Sequence, residues 1–200
     1  VENGILIDQL DLIKQAVVSF FNKMFSEAWL DRPKLAGVFA IISPESASML
    51  EVKFSEEEIW DAVKECEGNK APRPDGFNLA CYQRCWSVMK PEVVQMMKEF
   101  HLNEKPTKGV NSSFISLIPK DCSIGLTDFR PISLVSSVYK ILAKVLSRRL
   151  KQVLPMIISE AQSGFLSGRC IFDGILITNK VVDWWKKTKR RGIILKLDFE

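Results

Sequence analysis

The sequence predicts an α+β fold in which helices predominate. Three observations carry that expectation. Apolar residues return at intervals of three and four over most of the chain, the mark of helices that bury one face. Two apolar, β-branched runs, 113–120 and 129–135, flank a polar loop as the arms of a hairpin would. A last short run, Ile193-Ile194-Leu195-Lys196-Leu197-Asp198-Phe199, has the composition of a buried strand.

The elements follow in order. Leu10, Ile13, Val17, Phe20, Phe21, Met24 and Phe25 recur at helical spacing, and the pattern breaks near Asp31-Arg32-Pro33. Residues 34–54 read as irregular, with a turn at Ser43-Pro44. Ser55-Glu56-Glu57-Glu58 has the form of a capping box, with Ile59, Ala62, Val63 and Cys66 on one apolar face and Gly68 as the stop. The run from Asn69 to Gly76 holds two prolines and a glycine and must be a loop. Helices are expected over about 77–89 and 91–102, with Pro91 in the first turn of the second. Beyond the hairpin, Val138, Ile141, Leu142, Val145, Leu146, Val153 and Leu154 mark the clearest helix, with Leu146 on its inward side. Pro155 should end that helix. A loop with Gly164 and Gly168 then leads to a helix at about 171–188.

Bulk properties set bounds. Two hundred residues with 46% hydrophobic content suffice for one sizeable core, or one core plus a helical extension. A net charge of +4 and a pI of about 8.8 permit nucleic-acid binding without demonstrating it. Of the five cysteines no two have CxxC spacing, and the single histidine, His101, is distant from them in sequence, which argues against zinc. An odd cysteine count without a secretory signal implies reduced thiols and an intracellular setting, nucleus and/or cytoplasm. No long uncharged apolar run suggests a membrane span. Val1-Glu2-Asn3 lacks an initiator Met and the last residues lie within an apparent strand, so both ends read as cut from something longer.

Several residues are suited to chemistry. Asp198 stands at the end of a strand that looks buried, where a carboxylate is costly unless it is paired or binds a cation. Taken alone, one acid more often caps a strand end than defines a site. Lys120 and Arg130 flank the hairpin loop, where two cations can grip a triphosphate, though a solvated surface pair is the commoner case. Lys140, Lys144 and Arg148 are four apart on one helix face, and Lys186 to Arg191 form a basic run. Both are usually solvated surfaces, and both can track a nucleic-acid backbone.

It is the order of the motifs that is specific. Phe54-Ser55-Glu56-Glu57-Glu58-Ile59 comes first, then Asn69-Lys70-Ala71-Pro72 with Pro74-Asp75-Gly76-Phe77. Ile118-Pro119-Lys120, Asp128-Phe129-Arg130-Pro131-Ile132-Ser133-Leu134 and Tyr139 to Leu146 follow, with Arg149-Leu150. Ile158-Ser159-Glu160, Gln162, Gly164-Phe165, Gly168-Arg169 and Asp173 come next, and Lys196-Leu197-Asp198 last. From about Leu50 to Glu200 this series resembles the reverse transcriptases of LINE-type non-LTR retrotransposons, especially the plant elements. Residues 13–35 resemble the linker that precedes the polymerase in them.

The resemblance implies the fingers and the start of the palm of a right-hand polymerase fold, truncated. Residues 1–50 would be a helical linker or N-terminal extension, and 51–200 the fingers and first palm strand. By analogy Lys120 and Arg130 hold the triphosphate of the incoming dNTP. Asn69, Lys70, Pro74, Asp75 and Gly76, with Gln162, Gly164, Phe165, Gly168 and Arg169, contact the template. Asp198 is the first metal carboxylate and catalytic residue, with the Phe199 carbonyl beside it. The implied cofactor is Mg²⁺, two ions in the complete enzyme, and the implied partners are an RNA template and a DNA primer. Two departures stand out. The family has a glycine where this chain has Arg73, and a positive φ there would strain an arginine. The carboxylates of a Tyr-x-Asp-Asp motif are absent, so this stretch by itself is expected to be inactive. The rival reading is a non-catalytic remnant or a domesticated nucleic-acid-binding fragment.

Overall fold

The computed structural model describes residues 8–27, 31–32, 34, 36–164, 166 and 168–195. The helices are α1 (Leu10–Phe25), α2 (Pro44–Glu51), α3 (Glu56–Glu65), α4 (Leu79–Arg84), α5 (Trp86–Asn103), α6 (Ser137–Ile157) and α7 (Ile171–Thr188). Between α5 and α6 lies an antiparallel hairpin of β1 (Ser113–Pro119) and β2 (Phe129–Val135), joined through a short 3₁₀ turn at Leu126–Asp128. This is the α+β composition the sequence predicts. No helix among the described residues is long and apolar enough to cross a membrane.

The chain packs as two compact units, Val1–Gly37 with Lys53–Val145, and Val38–Val52 with Leu146–Glu200. In the first unit α3 begins as expected: the Ser55 hydroxyl accepts from the Glu58 N–H at 3.1 Å. The face it presents, Ile59, Ala62 and Val63, is buried. Leu79 and Tyr82 of α4, Val93, Val94, Met96 and Met97 of α5, and Ile141, Leu142 and Val145 of α6 are buried too. Each large apolar side chain so buried contributes roughly 1.5–3 kcal/mol. Helix α3 stops at Glu65, short of Gly68, because Gln83 of α4 closes its end: Nε2 donates to the carbonyls of Val63 (3.0 Å) and Cys66 (2.7 Å). Gly68 serves that closure. A Cβ there would lie 2.8 Å from the Gln83 Oε1.

In the second unit, α2 forms where the sequence reading expected irregular chain. Ser43 caps it, accepting from the Ser46 N–H at 3.2 Å, and Pro44 takes the first helical position. At its other end the buried Arg149 donates to the carbonyls of Leu50 (2.9 Å) and Val52 (2.5 Å).

Other expectations need correction. Pro91 lies inside α5 rather than at its start, since the helix begins at Trp86, whose ring stacks on Trp60 with centroids 5.1 Å apart. That packing outweighs one backbone bond lost at the proline. Pro155 does not end α6, which runs on to Ile157, although the helix terminates within a turn of it. Leu146 is only half-buried, and the inward positions of α6 are Ile141, Leu142, Val145 and Val153. The described part of the final apolar run, 193–195, is exposed and has no regular structure. A strand requires a neighbour to bond to, and none pairs with it among the described residues. Residues 196–200 lie outside the described residues.

Candidate nucleotide and template site

The hairpin determines where its two cations point. Its register pairs Ile118 with Arg130 and Pro119 with Phe129, and the Lys120 N–H continues the ladder by donating to the Asp128 carbonyl at 2.8 Å. Lys120 therefore stands opposite Asp128, two positions beyond the pair that contains Arg130. Side chains two apart on a strand share a face, as do those directly opposed. Lys120 and Arg130 are thus diagonal neighbours on one face, with Cα atoms roughly 7–8 Å apart. Both are exposed. The other face carries Ile115 and Leu117, which border Val17, Val18 and Phe21 of α1, so the hairpin rests on α1 with its cationic face open.

Ladder alternation also explains Pro131. Since Lys120 and Asp128 are a hydrogen-bonded pair, Leu117 and Pro131 fall in the non-bonded class, and the donor that proline lacks would have pointed away from β1.

The connecting loop is held by Asp128. Its carboxylate accepts from the N–H groups of Ile124 (3.0 Å) and Gly125 (2.9 Å). Those bonds, Gly125's the larger effect, hold its pKa below the ordinary carboxylate value. The Lys120 Nζ donates to the Thr127 carbonyl at 3.1 Å, so this ammonium rests on the loop it would leave to reach a phosphate. Arg130 is exposed.

The 69–76 loop is anchored by charged residues. Arg73 is 9% exposed, and its guanidinium donates to the Val135 carbonyl, at the end of β2, at 2.7 Å. Asp75 uses one carboxylate oxygen on the Phe77 N–H (3.2 Å) and the other on the Ser137 N–H (2.7 Å), the first residue of α6. The Ser137 hydroxyl returns a bond to the Phe77 carbonyl at 3.0 Å. The positive-φ residue of this loop is Gly76, at +79°, not Arg73. The arginine at position 73 therefore carries no left-handed strain and adds an anchor. Asn69 and Gly76 remain at the surface, Pro74 is half-buried, and the exposed Lys70 pairs with Glu67 at 2.8 Å.

In the other candidate template loop, Arg169 turns inward. Its guanidinium donates to the carbonyls of Ser159, Gln162 (2.7 Å) and Ile158 (3.3 Å), gathering the chain that leaves α6. Gly168 takes φ +79°, and Gln162 Nε2 lies 3.4 Å from the Gly164 carbonyl. Phe165 lies outside the described residues, as do Asp198 and Phe199.

Of the basic stripe on α6, Lys144 pairs with Glu65 at 3.3 Å. In the basic run that spans the end of α7, the Arg190 guanidinium lies over the Trp184 ring at 5.0 Å. No three His, Cys, Asp or Glu side chains among the described residues gather into a metal site. Sequence reasoning missed two anchors, Arg73 and Arg149. Each is a buried arginine spent on backbone carbonyls, a role that charge patterning cannot separate from a surface cation.

Comparison with known proteins bears on this arrangement. Residues 118–200, from the end of β1 onward, match the family model described as reverse transcriptase (RNA-dependent DNA polymerase). The chain is also similar to a Xenopus laevis protein described as the Transposon TX1 uncharacterized 149 kDa protein, at 29% identity over 211 aligned residues. That alignment takes in all of this chain and 16% of the relative, so the chain spans a small part of that protein's length. Neither match favours the remnant reading. Residues 118–200 are thus similar to reverse transcriptase sequence, and the chain as a whole is similar to a stretch of a transposon protein.

Proposed function

We propose that this chain is the linker (1–50) and the fingers with the first palm strand (51–200) of a LINE-type, plant-like reverse transcriptase. It would work inside the cell, in nucleus and/or cytoplasm, on an RNA template, a DNA primer and dNTPs. Lys120 and Arg130 grip the triphosphate, and the 69–76 and 162–169 loops border the template. Asp198 is the first metal carboxylate, beside the Phe199 carbonyl.

The observation that carries the reading is the hairpin register, which sets Lys120 and Arg130 on one open face. Arg presents a planar fork that matches two phosphate oxygens, and Lys adds a mobile point charge, so the pair suits a polyphosphate better than a single carboxylate. Within the 69–76 loop, Asp75 and Arg73 hold the backbone while Asn69, Lys70, Pro74 and Gly76 offer the surface. Arg169 does the same for its loop. In the complete enzyme Mg²⁺ would supply charge neutralisation for in-line attack of a primer 3′-hydroxyl on the dNTP α-phosphate. The chain's own part is to bind and orient the nucleotide and the template.

The test is a kinetic split in the longer polymerase that contains this chain. Arg130→Ala should raise the KM for dNTP at least tenfold while leaving primer–template affinity within about twofold. An Arg130→Ala enzyme that loses template affinity and keeps its KM for dNTP would refute the nucleotide assignment. Residues 1–200 alone should extend no primer.

A further inference from the structure

We propose that the turn 107–112 forms, with the 69–76 loop, a preformed groove that seats the sugar–phosphate backbone of single-stranded RNA. This rests on the reading of the 69–76 loop as a template contact, and adds to it a second wall and a cation.

A cavity of about 340 Å³ separates the two segments, at the lower end of the roughly 300–1,000 Å³ that ligand sites occupy. Pro74 and Asp75 form one wall, Lys108, Gly109 and Ser112 the other, and Ser136 and Val138 at the start of α6 the floor. Both walls are tied to that floor. Arg73 and Asp75 bind the first to Val135 and Ser137, and the Ser136 hydroxyl donates to the Val110 carbonyl to bind the second. The turn is braced within itself, Val110 N–H to Thr107 carbonyl (3.0 Å) and Ser112 N–H to Gly109 carbonyl (3.1 Å). The groove is therefore built before any ligand arrives, which lowers the cost of binding.

Its chemistry favours a phosphodiester strand. Gly109 (φ +91°), in the second wall, leaves open space where a side chain would stand, with no atom within 4 Å of an added Cβ. A polymer backbone can approach closely there. Lys108 is exposed, and no carboxylate pairs with it among the described residues. Asp75, the acid in the wall, is spent on two backbone N–H groups. One ammonium beside a mostly apolar lining suits one phosphate and the sugar or base beside it. A triphosphate would need more cations than the groove offers.

Fluorescence anisotropy with a labelled single-stranded RNA at low salt, on residues 1–200, tests this. Lys108→Glu should weaken binding at least fivefold and reduce the slope of log affinity against log salt by about 0.7, the loss of one single-strand phosphate contact. Lys23→Glu on α1 makes the same charge change away from the groove and should leave binding nearly unaltered. Ser112→Trp should block the groove and weaken binding with no change of charge. If Lys108→Glu behaves like Lys23→Glu, the groove is overturned. In that event Asn69→Ala with Lys70→Glu decides what else falls. Weakened binding in that double variant leaves the 69–76 loop as a template contact without the groove, whereas unchanged binding removes both.

Discussion

Arg73 offers the sharpest test of how the 69–76 loop is held. Replacing it with glycine, the residue that the resemblance implies at this position, deletes the guanidinium that donates to the Val135 carbonyl at 2.7 Å. A buried hydrogen bond to a charged group contributes about 1.5–3 kcal/mol. Glycine adds about 0.5–1 kcal/mol of backbone entropy. One term runs the other way, because the Nε of Arg73 is buried without a partner among the described residues, and deleting it relieves that cost. The net expectation is a loss of about 1–2 kcal/mol. Urea unfolding followed by tryptophan fluorescence reads it, since the stacked Trp60 and Trp86 lie in the same unit. Arg73→Lys, which keeps a donor, should recover part of the loss. If Arg73→Gly shifts stability by less than 0.5 kcal/mol, the bond to Val135 is incidental and the loop is held by Asp75 alone.

Three further outcomes follow from the same geometry. Ile141→Ala on α6 should cost about 2–5 kcal/mol because the site is fully buried, and Leu146→Ala distinctly less; equal losses in denaturant melts would contradict the burial pattern. Asp128 has a lowered pKa in the fold, so its contribution is complete above the ordinary Asp value of about 3.9 and is lost as pH falls through the lowered one. Amide exchange at Ile124 and Gly125 should accelerate across that acid window, and exchange rates without such a step would argue against the carboxylate. Burial raises the pKa of the Cys66 thiol, so an alkylating reagent near neutral pH should modify the exposed Cys85, Cys122 and Cys170 first, and early labelling of Cys66 would show that its shelter is wrong.

The elements that read plainly in the sequence are those whose pattern is local. Helix α7 runs between the expected bounds because its eighteen residues hold no proline, and the one glycine, Gly174, is tolerated. The hairpin reads correctly because β-branched runs and a polar loop fix both arms. Helix α2 was missed because eight residues of Pro-Glu-Ser-Ala-Ser-Met-Leu-Glu have little periodicity, although Ser43 followed by Pro44 is a helix start in plain view. Pro91 and Pro155 misled because tertiary packing tolerates a lost backbone bond that a local rule treats as a break. At the candidate site, the pairing of Lys120 and Arg130 was visible from motif order, and their common face follows from register. The inward turn of Arg73 and Arg169 was not visible. A guanidinium's partner is a carbonyl set by folding, and nothing in the neighbouring sequence names it.

We propose that this chain forms the nucleotide-binding front of an RNA-templated polymerase whose first metal carboxylate is Asp198. The most direct measurement is primer extension on an RNA template by the longer protein that contains the chain, comparing the unaltered enzyme with Asp198→Asn. Removal of one ligand from a two-metal site should abolish incorporation, by at least a thousandfold, while primer–template binding persists. An Asp198→Asn enzyme that extends the primer at an undiminished rate would contradict the account.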